Sequence, residues 1–462
     1  LEPTTTIRSF IEDHIRKQGY TLQYFADLSG VNAGTLSAII KGTRPIAMAQ
    51  LDLITQGMNL EPGHFYELYG AECFVESSPH WRRLEPFLQR CAELDKLDCI
   101  HRVIQQVTDD RSYISELFEM AEGMFEREQN QAALMLYECV AECEKYQHSE
   151  RLALCHYRIF TLSLSQDQNQ NLRAAVLFEP YINRLDEERQ LDAIKDLANT
   201  YLALRYYDKL FALADGLEQK TKVMQVYTTK KINHDKRITA YPLFVYGVYA
   251  NLLKASACEG QEKYREALYY TEVYTDLITN HDSTEEDWIY INKFKFWTEA
   301  NTYVYQLLMG DLTVLPTYIN YIEKNESEVL PAIINILEVA NQLNEDVDEV
   351  LHRFSDRINS EINRLQGYTK QVESDLYITF LLKRSIYHFN RGQDPEGMKQ
   401  LLACLREAVK SNKQQDIIHC VALYERYRIN ISTPDYANQY KLIMMEVENY
   451  YDKKENRLFH LT

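Results

Sequence analysis

From Leu84 to about Tyr451 the apolar residues return with the 3.6-residue period of an amphipathic helix, and no stretch alternates convincingly as a strand does. Glycine and proline number 15 and 11 in 462 residues, too few to punctuate a strand-and-turn protein. The class is therefore all-α. The breaks are short and polar: Gln129-Asn130, Gln166 to Asn171, Glu259-Gly260, Asn280-His281-Asp282, Gly310-Asp311, Asn344-Glu345 and Arg391-Gly392-Gln393. Helices separated this way cannot each bury an apolar face alone, so successive pairs must stack into a solenoid.

One pair places a small residue, an aromatic and a further small residue where two helices approach: Gly260, Tyr264 and Ala267 in EGQEKYREALYYTEVY. Arg205, Tyr207 and Leu210 follow the pattern more loosely in LRYYDKLFALAD, and Gly310, Leu312 and Leu315 repeat it with substitutions. This resembles the tetratricopeptide repeat, which implies a right-handed α-solenoid of degenerate helical hairpins, about eight by spacing.

The pair Ala-Asn recurs inside apolar-periodic helices at Asn199, Asn251, Asn301 and Asn341. Asparagine is a poor interior helix residue, so its return needs a cause. On the inner helices of a solenoid, a ladder of asparagines can bond the backbone of an extended peptide whatever its sequence. The same residues can instead cap, or bond a neighbouring helix. Tyrosines are abundant, 34 in all, and Tyr201, Tyr246, Tyr249, Tyr290, Tyr303 and Tyr305 accompany the ladder. They suit a groove for an amphipathic oligopeptide, with Tyr201 and Tyr303 the candidates beside the asparagines, or else inter-helix packing.

Two further stretches stand out. KTKVMQVYTTKKINHDKRITAYP carries Lys220, Lys222, Lys230, Lys231, Lys236 and Arg237, and reads as an irregular segment solvated by charge or as a basic lip. Pro434 opens a last helix whose Tyr440, Ile443, Met444 and Val447 stripe fits a cap on the solenoid or a contact with a second subunit.

The N-terminal seventy residues differ in kind. Gly19 ends one helix, Thr21 caps the next, Leu22, Phe25 and Ala26 give it an apolar face, and Gly30 makes a turn. Val31 fills the core, Asn32 caps a third helix, and Leu36 and Ile39 point inward while Ala33, Gly34, Thr35, Ser37 and Ala38 face out. Five helices are expected at about 7–18, 21–28, 32–41, 47–58 and 61–69. Ala26, Gly30, Val31, Leu36, Ile39 and the closing Lys41-Gly42-Thr43-Arg44 resemble the Cro/repressor (Xre-type) helix-turn-helix domain, whose third helix enters the major groove of DNA. Ala33, Gly34 and Ala38 offer no donor or acceptor to base edges, so direct readout is thin. Gln23, Asn32, Thr35, Ser37, Lys41 and Arg44 are left as phosphate or base contacts. The alternative is a helix-turn-helix kept for protein contact or dimerisation.

The net charge of −18 does not announce a nucleic-acid binder, and an acidic body facing phosphate calls for a local basic edge and a dimer. Nine cysteines without framework spacing point to a reducing cytoplasm and no disulfides. Cys139, Cys143, Cys155 and His156 read as core packing and not as a metal site. No cofactor is implied. No apolar run reaches the roughly 20 residues of a membrane helix, no signal peptide is visible, and the first residue, Leu1, suggests a trimmed end. Glycine-rich phosphate loops and the GxSxG, HExxH and Cys-x-x-Cys motifs are absent, which speaks against an enzyme.

An Xre-type helix-turn-helix at 1–70, a connector at 71–83 and a tetratricopeptide-like solenoid at 84–462 together resemble the RRNPP peptide-pheromone receptors. The resemblance implies a cytoplasmic, homodimeric transcription regulator that binds double-stranded DNA and is controlled by a short signalling oligopeptide in its solenoid. It also implies that inner-layer asparagines clamp the peptide, as assigned to Asn199, Asn251, Asn301 and Asn341. The rival is a constitutive helix-turn-helix regulator or scaffold whose solenoid holds a protein partner.

Overall fold

The computed structural model describes residues 6–73, 80–107, 113–228, 239–281, 284–325, 329–366, 371–430 and 434–459, and its regular structure is entirely helical. The chain divides into two compact units, Leu1–Leu162 and Ser163–Thr462.

The first unit begins with α1 (Ile7–Gln18), α2 (Leu22–Ser29), α3 (Ala33–Ile40), α4 (Met48–Gly57) and α5 (Tyr66–Cys73). Their limits follow local chemistry. Gly19 and Gly30 adopt φ of +65° and +73° after α1 and α2, Thr21 accepts from the Tyr24 N–H, and Asn32 accepts from the N–H groups of Gly34 and Thr35. The core of these helices holds Ile7, Ile11, Phe25, Leu36, Ile39, Leu51 and Ile54, all fully buried. Burying each such side chain contributes roughly 1.5–3 kcal/mol. Helices α2 and α4 cross closely: a Cβ on Gly57 would lie 2.7 Å from the Ser29 Cβ.

The fifth helix starts later than its pattern suggests, at Tyr66 instead of about 61. Gly63 takes φ +78° after Pro62 and breaks the helical run there. Tyr69 then donates to the Ile46 carbonyl (3.0 Å), and Glu72 accepts from the Ile7 N–H (2.9 Å), tying both ends of the bundle together.

The same unit continues through α6 (Trp81–Glu93), α7 (Leu97–Val107), α8 (Ile114–Glu126), α9 (Asn130–Glu144) and α10 (Glu150–Ser163). Helix α4 packs on α6 and α5 on α7, so the repeat-like stacking grows directly from the N-terminal helices. Of the 71–83 connector, Ala71 to Cys73 belong to α5 and Trp81 opens α6, while 74–79 lie outside the described residues. Cys139 and Cys155 are buried among the packed helices α8 to α10.

The second unit comprises α11 (Gln168–Phe178), α12 (Glu187–Ala203), α13 (Tyr207–Thr228), α14 (Leu243–Gly260), α15 (Tyr264–Thr279), α16 (Trp288–Leu308), α17 (Leu315–Lys324) and α18 (Val329–Leu343). It closes with α19 (Asp348–Arg353), α20 (Ser355–Gln366), α21 (Gln371–Asn390), α22 (Asp394–Lys410), α23 (Gln414–Tyr427) and α24 (Pro434–Phe459). Each helix packs on its successor along α12 to α16, and α18, α21, α22 and α23 continue the series: a helical solenoid. Alternate helices also touch, α12 on α14 and α16 on α18, and the Tyr305 hydroxyl on α16 donates to Glu259 on α14 (3.1 Å), which places these four in one layer.

Six of its turns share one geometry. At 205, 262, 310, 344, 392 and 412 a residue with positive φ follows the helix, and the next N–H reaches back to a carbonyl of the last turn, as Tyr206 does to Tyr201 (2.9 Å) and Lys413 to Ala408 (2.9 Å). Glycine fills that position at 310 and 392; Arg205, Glu262, Asn344 and Asn412 hold it at the others. Gly260 serves a different need, since a Cβ there would fall 2.2 Å from the Tyr207 ring.

Two expectations are corrected. Helix α11 starts at Gln168, inside the expected break of 166 to 171, because Asp167 caps it by accepting from the Asn169 and Gln170 N–H groups. Helix α13 runs to Thr228, so Lys220 and Lys222 are helical and not in an irregular segment: buried Leu217 and Thr221 carry the apolar period through, and the lysines bond Gln190 and Glu218. Lys230, Lys231, Lys236 and Arg237 lie outside the described residues. Helix α24 lies on α22, with Ile443 buried and the Tyr440 ring stacked on Tyr424 at 3.7 Å. Among the described residues no helix is long and apolar enough to cross a membrane.

Candidate nucleic-acid interface and asparagine-bearing helices

The turn from α2 into α3 and the turn that leaves α3 bracket one exposed face. Asn32 is exposed, and its Oδ1 is engaged by the N–H groups of Gly34 (2.9 Å) and Thr35 (3.3 Å). Ala33, Thr35, Ser37 and Ala38 are partly exposed and Gly34 fully so, while Leu36 and Ile39 are fully buried beneath them. Beyond α3, Gly42 takes φ +76°, and Lys41 and Arg44 stand exposed on either side of it. Arg44 Nη1 donates to Thr35 Oγ1 at 3.4 Å, which lays the guanidinium along the outer face of α3. Gln23, on α2, donates to Asp27 at 3.0 Å.

A third cation joins this face that sequence reasoning missed. Arg8 Nη1 lies 3.3 Å from where a Cβ on Gly42 would stand, and Arg8 Nε is buried without a hydrogen-bond partner among the described residues. Nothing near Arg8 in sequence signals this, because α1 is brought to the loop only by burial of Ile7 and Ile11. Among the described residues neither Lys41 nor Arg44 has a carboxylate within ion-pair distance. The arrangement is a short helix with a small-residue face flanked by cations, suited to phosphate contact more than to reading bases.

In the second unit the four asparagines fall on α12, α14, α16 and α18, the helices of one layer, but each bonds a different neighbour. Asn199 Oδ1 accepts from the Tyr249 hydroxyl (2.7 Å), linking α12 to α14. Asn251 is 1% exposed, and its Nδ2 donates to the Gly247 carbonyl (3.0 Å) and to Glu218 (3.4 Å). Asn301 donates to the Tyr274 hydroxyl on α15 (3.1 Å). Asn341 donates to the Lys383 carbonyl on α21 (2.9 Å) and accepts from Asn390 (3.4 Å). Tyr201 is fully buried, donating to Glu179 (2.6 Å); Tyr303 is partly exposed and donates to Glu299 (3.3 Å).

Around Asn251 lies a buried ionic group. Lys254, 4% exposed, bonds Asp215 (2.7 Å) and Glu218 (2.6 Å) and sits over the Phe211 and Tyr270 rings. Burial pushes the Glu218 carboxyl up, but the bonds from Lys222, Lys254 and Asn251 outweigh it and bring its pKa down to about 2. Partly buried aromatic rings, Tyr241, Tyr249, Tyr290 and Trp297, pack together on the cluster formed by Val245, Val248, Tyr274, Ile278, Ile291 and Phe294. Tyr241 and Trp297 were not singled out from sequence: Tyr241 precedes α14, and Trp297, one turn before Asn301, stands outside a pattern followed through its tyrosines.

No family model matches the chain, and no curated protein matches it. A solved structure described as Bacillus thuringiensis PlcR in complex with the peptide PapR7 and DNA is similar at 13% identity, over 76% of this chain and 97% of that one, with a TM-score of 0.23. A likeness of that degree carries no argument about function.

Proposed function

We propose that the protein is a cytoplasmic transcription regulator that binds double-stranded DNA through α2 and α3 and is controlled by a short oligopeptide held on the inner layer of its helical repeats. DNA contact belongs to residues 1–70, through Gln23, Asn32, Thr35, Ser37, Lys41 and Arg44, with 71–83 as connector and 84–462 as peptide-binding and dimerising part. The observation that carries this reading is the exposed face of α3 with Lys41 and Arg44 beside it. An anion meets two exposed cations there. The total charge of −18 opposes DNA, so two copies engage two half-sites together, and the protein sediments as a dimer at micromolar concentration.

The peptide reading is supported by the recurrence of asparagine on α12, α14, α16 and α18, where carboxamides bonded to a neighbour can exchange that bond for one to a peptide backbone. A second reading, a repeat array that grips a protein partner and uses the asparagines as helix-to-helix bonds, is favoured by the burial of Asn251. Asn251→Ala and Asn301→Ala separate the two. With selected duplex DNA and oligopeptides from neighbouring small reading frames, the peptide reading expects each variant to lose affinity by about 1–3 kcal/mol with its melting temperature held. Early melting with unchanged peptide affinity makes the ladder structural.

A further inference from the structure

The second unit returns on itself. Arg205, in the turn between α12 and α13, pairs with Asp416 at the start of α23 at 2.9 Å, and Asn412 donates to Asp167 at 3.1 Å. These partners stand 211 and 245 residues apart, so the last hairpins of the solenoid meet the first. We infer that this seam is a latch that opens as a unit, releasing the α22–α23 turn from the α12–α13 turn while the hairpins on both sides stay folded.

The seam rests on polar contacts. The joint between α13 and α14 sets its ion pairs beside buried apolar side chains such as Leu210, Ala214 and Leu217. At the seam Asp416, 4% exposed, takes Arg205 from across it, while Lys413, 7% exposed, is paired on its own side with Asp375. Ion pairs withdrawn from water gain little over their desolvation cost, which makes such a contact close to balanced between made and broken. Loss of water pushes the Asp375 carboxyl up and the Lys413 ammonium down.

Packing at the seam is incomplete as well. A cavity of about 110 Å³ lies along it, lined among others by Gln168, Leu172, Leu204, Tyr206 and Gln415. Both polar atoms of the Gln168 carboxamide are buried there without a hydrogen-bond partner among the described residues. Each such orphan costs free energy in the closed state that opening to water recovers.

Each turn is also complete without the other. Tyr206 N–H bonds the Tyr201 carbonyl and Lys413 N–H the Ala408 carbonyl, within their own helices. Parting the seam breaks no backbone bond of either helix. Because α12 is the first helix of the asparagine layer, two positions of its end give two forms of that layer, and anything that binds one form better shifts the population.

The test places p-benzoylphenylalanine at Tyr206 in the full-length protein and reads, by mass spectrometry after illumination, the yield of cross-link to the 412–416 segment. The unmodified seam gives that cross-link. Adding Arg205→Ala lowers its yield by about tenfold with the helical circular dichroism unchanged, because Asp416 loses its partner. The charge-reversed pair, Arg205→Asp with Asp416→Arg, restores the yield. An unchanged yield in Arg205→Ala, a loss that comes only with loss of helix, or no recovery in the reversed pair overturns the latch.

Discussion

The turn between α2 and α3 and the turns of the second unit solve the same problem, ending one helix and starting the next, with different means. In the first, Gly30 and Asn32 each act on atoms within three residues of themselves. In the second, the left-handed position is held by Arg205, Glu262 and Asn412 as readily as by Gly310 or Gly392. The backbone geometry is kept although the residue is not. Where a turn must present a defined outer face, local chemistry specifies it; where a turn only joins two packed helices, burial of the helices supplies the energy and tolerates a strained residue.

That contrast can be broken most severely in the second unit's interior. Lys254→Ala leaves Glu218 and Asp215 without the ammonium between them, and stability should fall by about 3–5 kcal/mol in urea unfolding. An effect under 1 kcal/mol, by the ~1 kcal/mol that a surface pair is worth, makes the ionic group incidental to the packing.

Acid probes the same group. Glu218 has a folded pKa of about 2, below the roughly 4.3 of an unfolded glutamate, so its contribution is present above that value. It is lost as pH falls from about 4.5 towards 2, an amount on the order of 2–3 kcal/mol. The Glu218→Gln variant should show a flatter stability profile across that window, and an identical profile contradicts the assignment.

Exchanging the turn residues sharpens the comparison at smaller cost. Gly30→Ala meets no atom within 4 Å, so its cost is backbone alone, about 1–2 kcal/mol from a φ of +73°. Glu262→Gly should do the reverse and stabilise by up to about 1 kcal/mol, since φ is +61° there. Calorimetry on both variants checks the pair of signs. If Glu262→Gly destabilises, its side chain contributes something the turn geometry does not reveal.

The same division governs what could be read from sequence. Helices α1 to α4 fall within a residue of their expected limits because Gly19, Thr21, Gly30 and Asn32 are side chains whose effect is local. The helix breaks at 95 and 412 escaped notice although Asp95 and Asn412 are residues that tolerate positive φ, because each stands alone in a helical pattern without the glycine or polar cluster that marks a break. The asparagine repeat was legible, and it does mark one layer; its partners were not, since Tyr249, Tyr274 and Lys383 are chosen by tertiary approach. Arg8 beside Gly42 and the Arg205–Asp416 seam share that reason: nothing in a linear pattern encodes a contact made by two distant elements.

The central claim, that the exposed face of α3 docks on DNA, rests on the charges at Lys41 and Arg44. Fluorescence anisotropy of labelled duplexes of several sequences, titrated with the protein and with the Lys41→Ala, Arg44→Ala double variant across a range of salt, tests it most directly. The variant should bind every sequence more weakly by a similar factor, and the slope of log K against log salt should shallow by about 4 for a bound dimer, as expected for two phosphate contacts per copy. Unchanged affinity and an unchanged slope in a correctly folded double variant would contradict it.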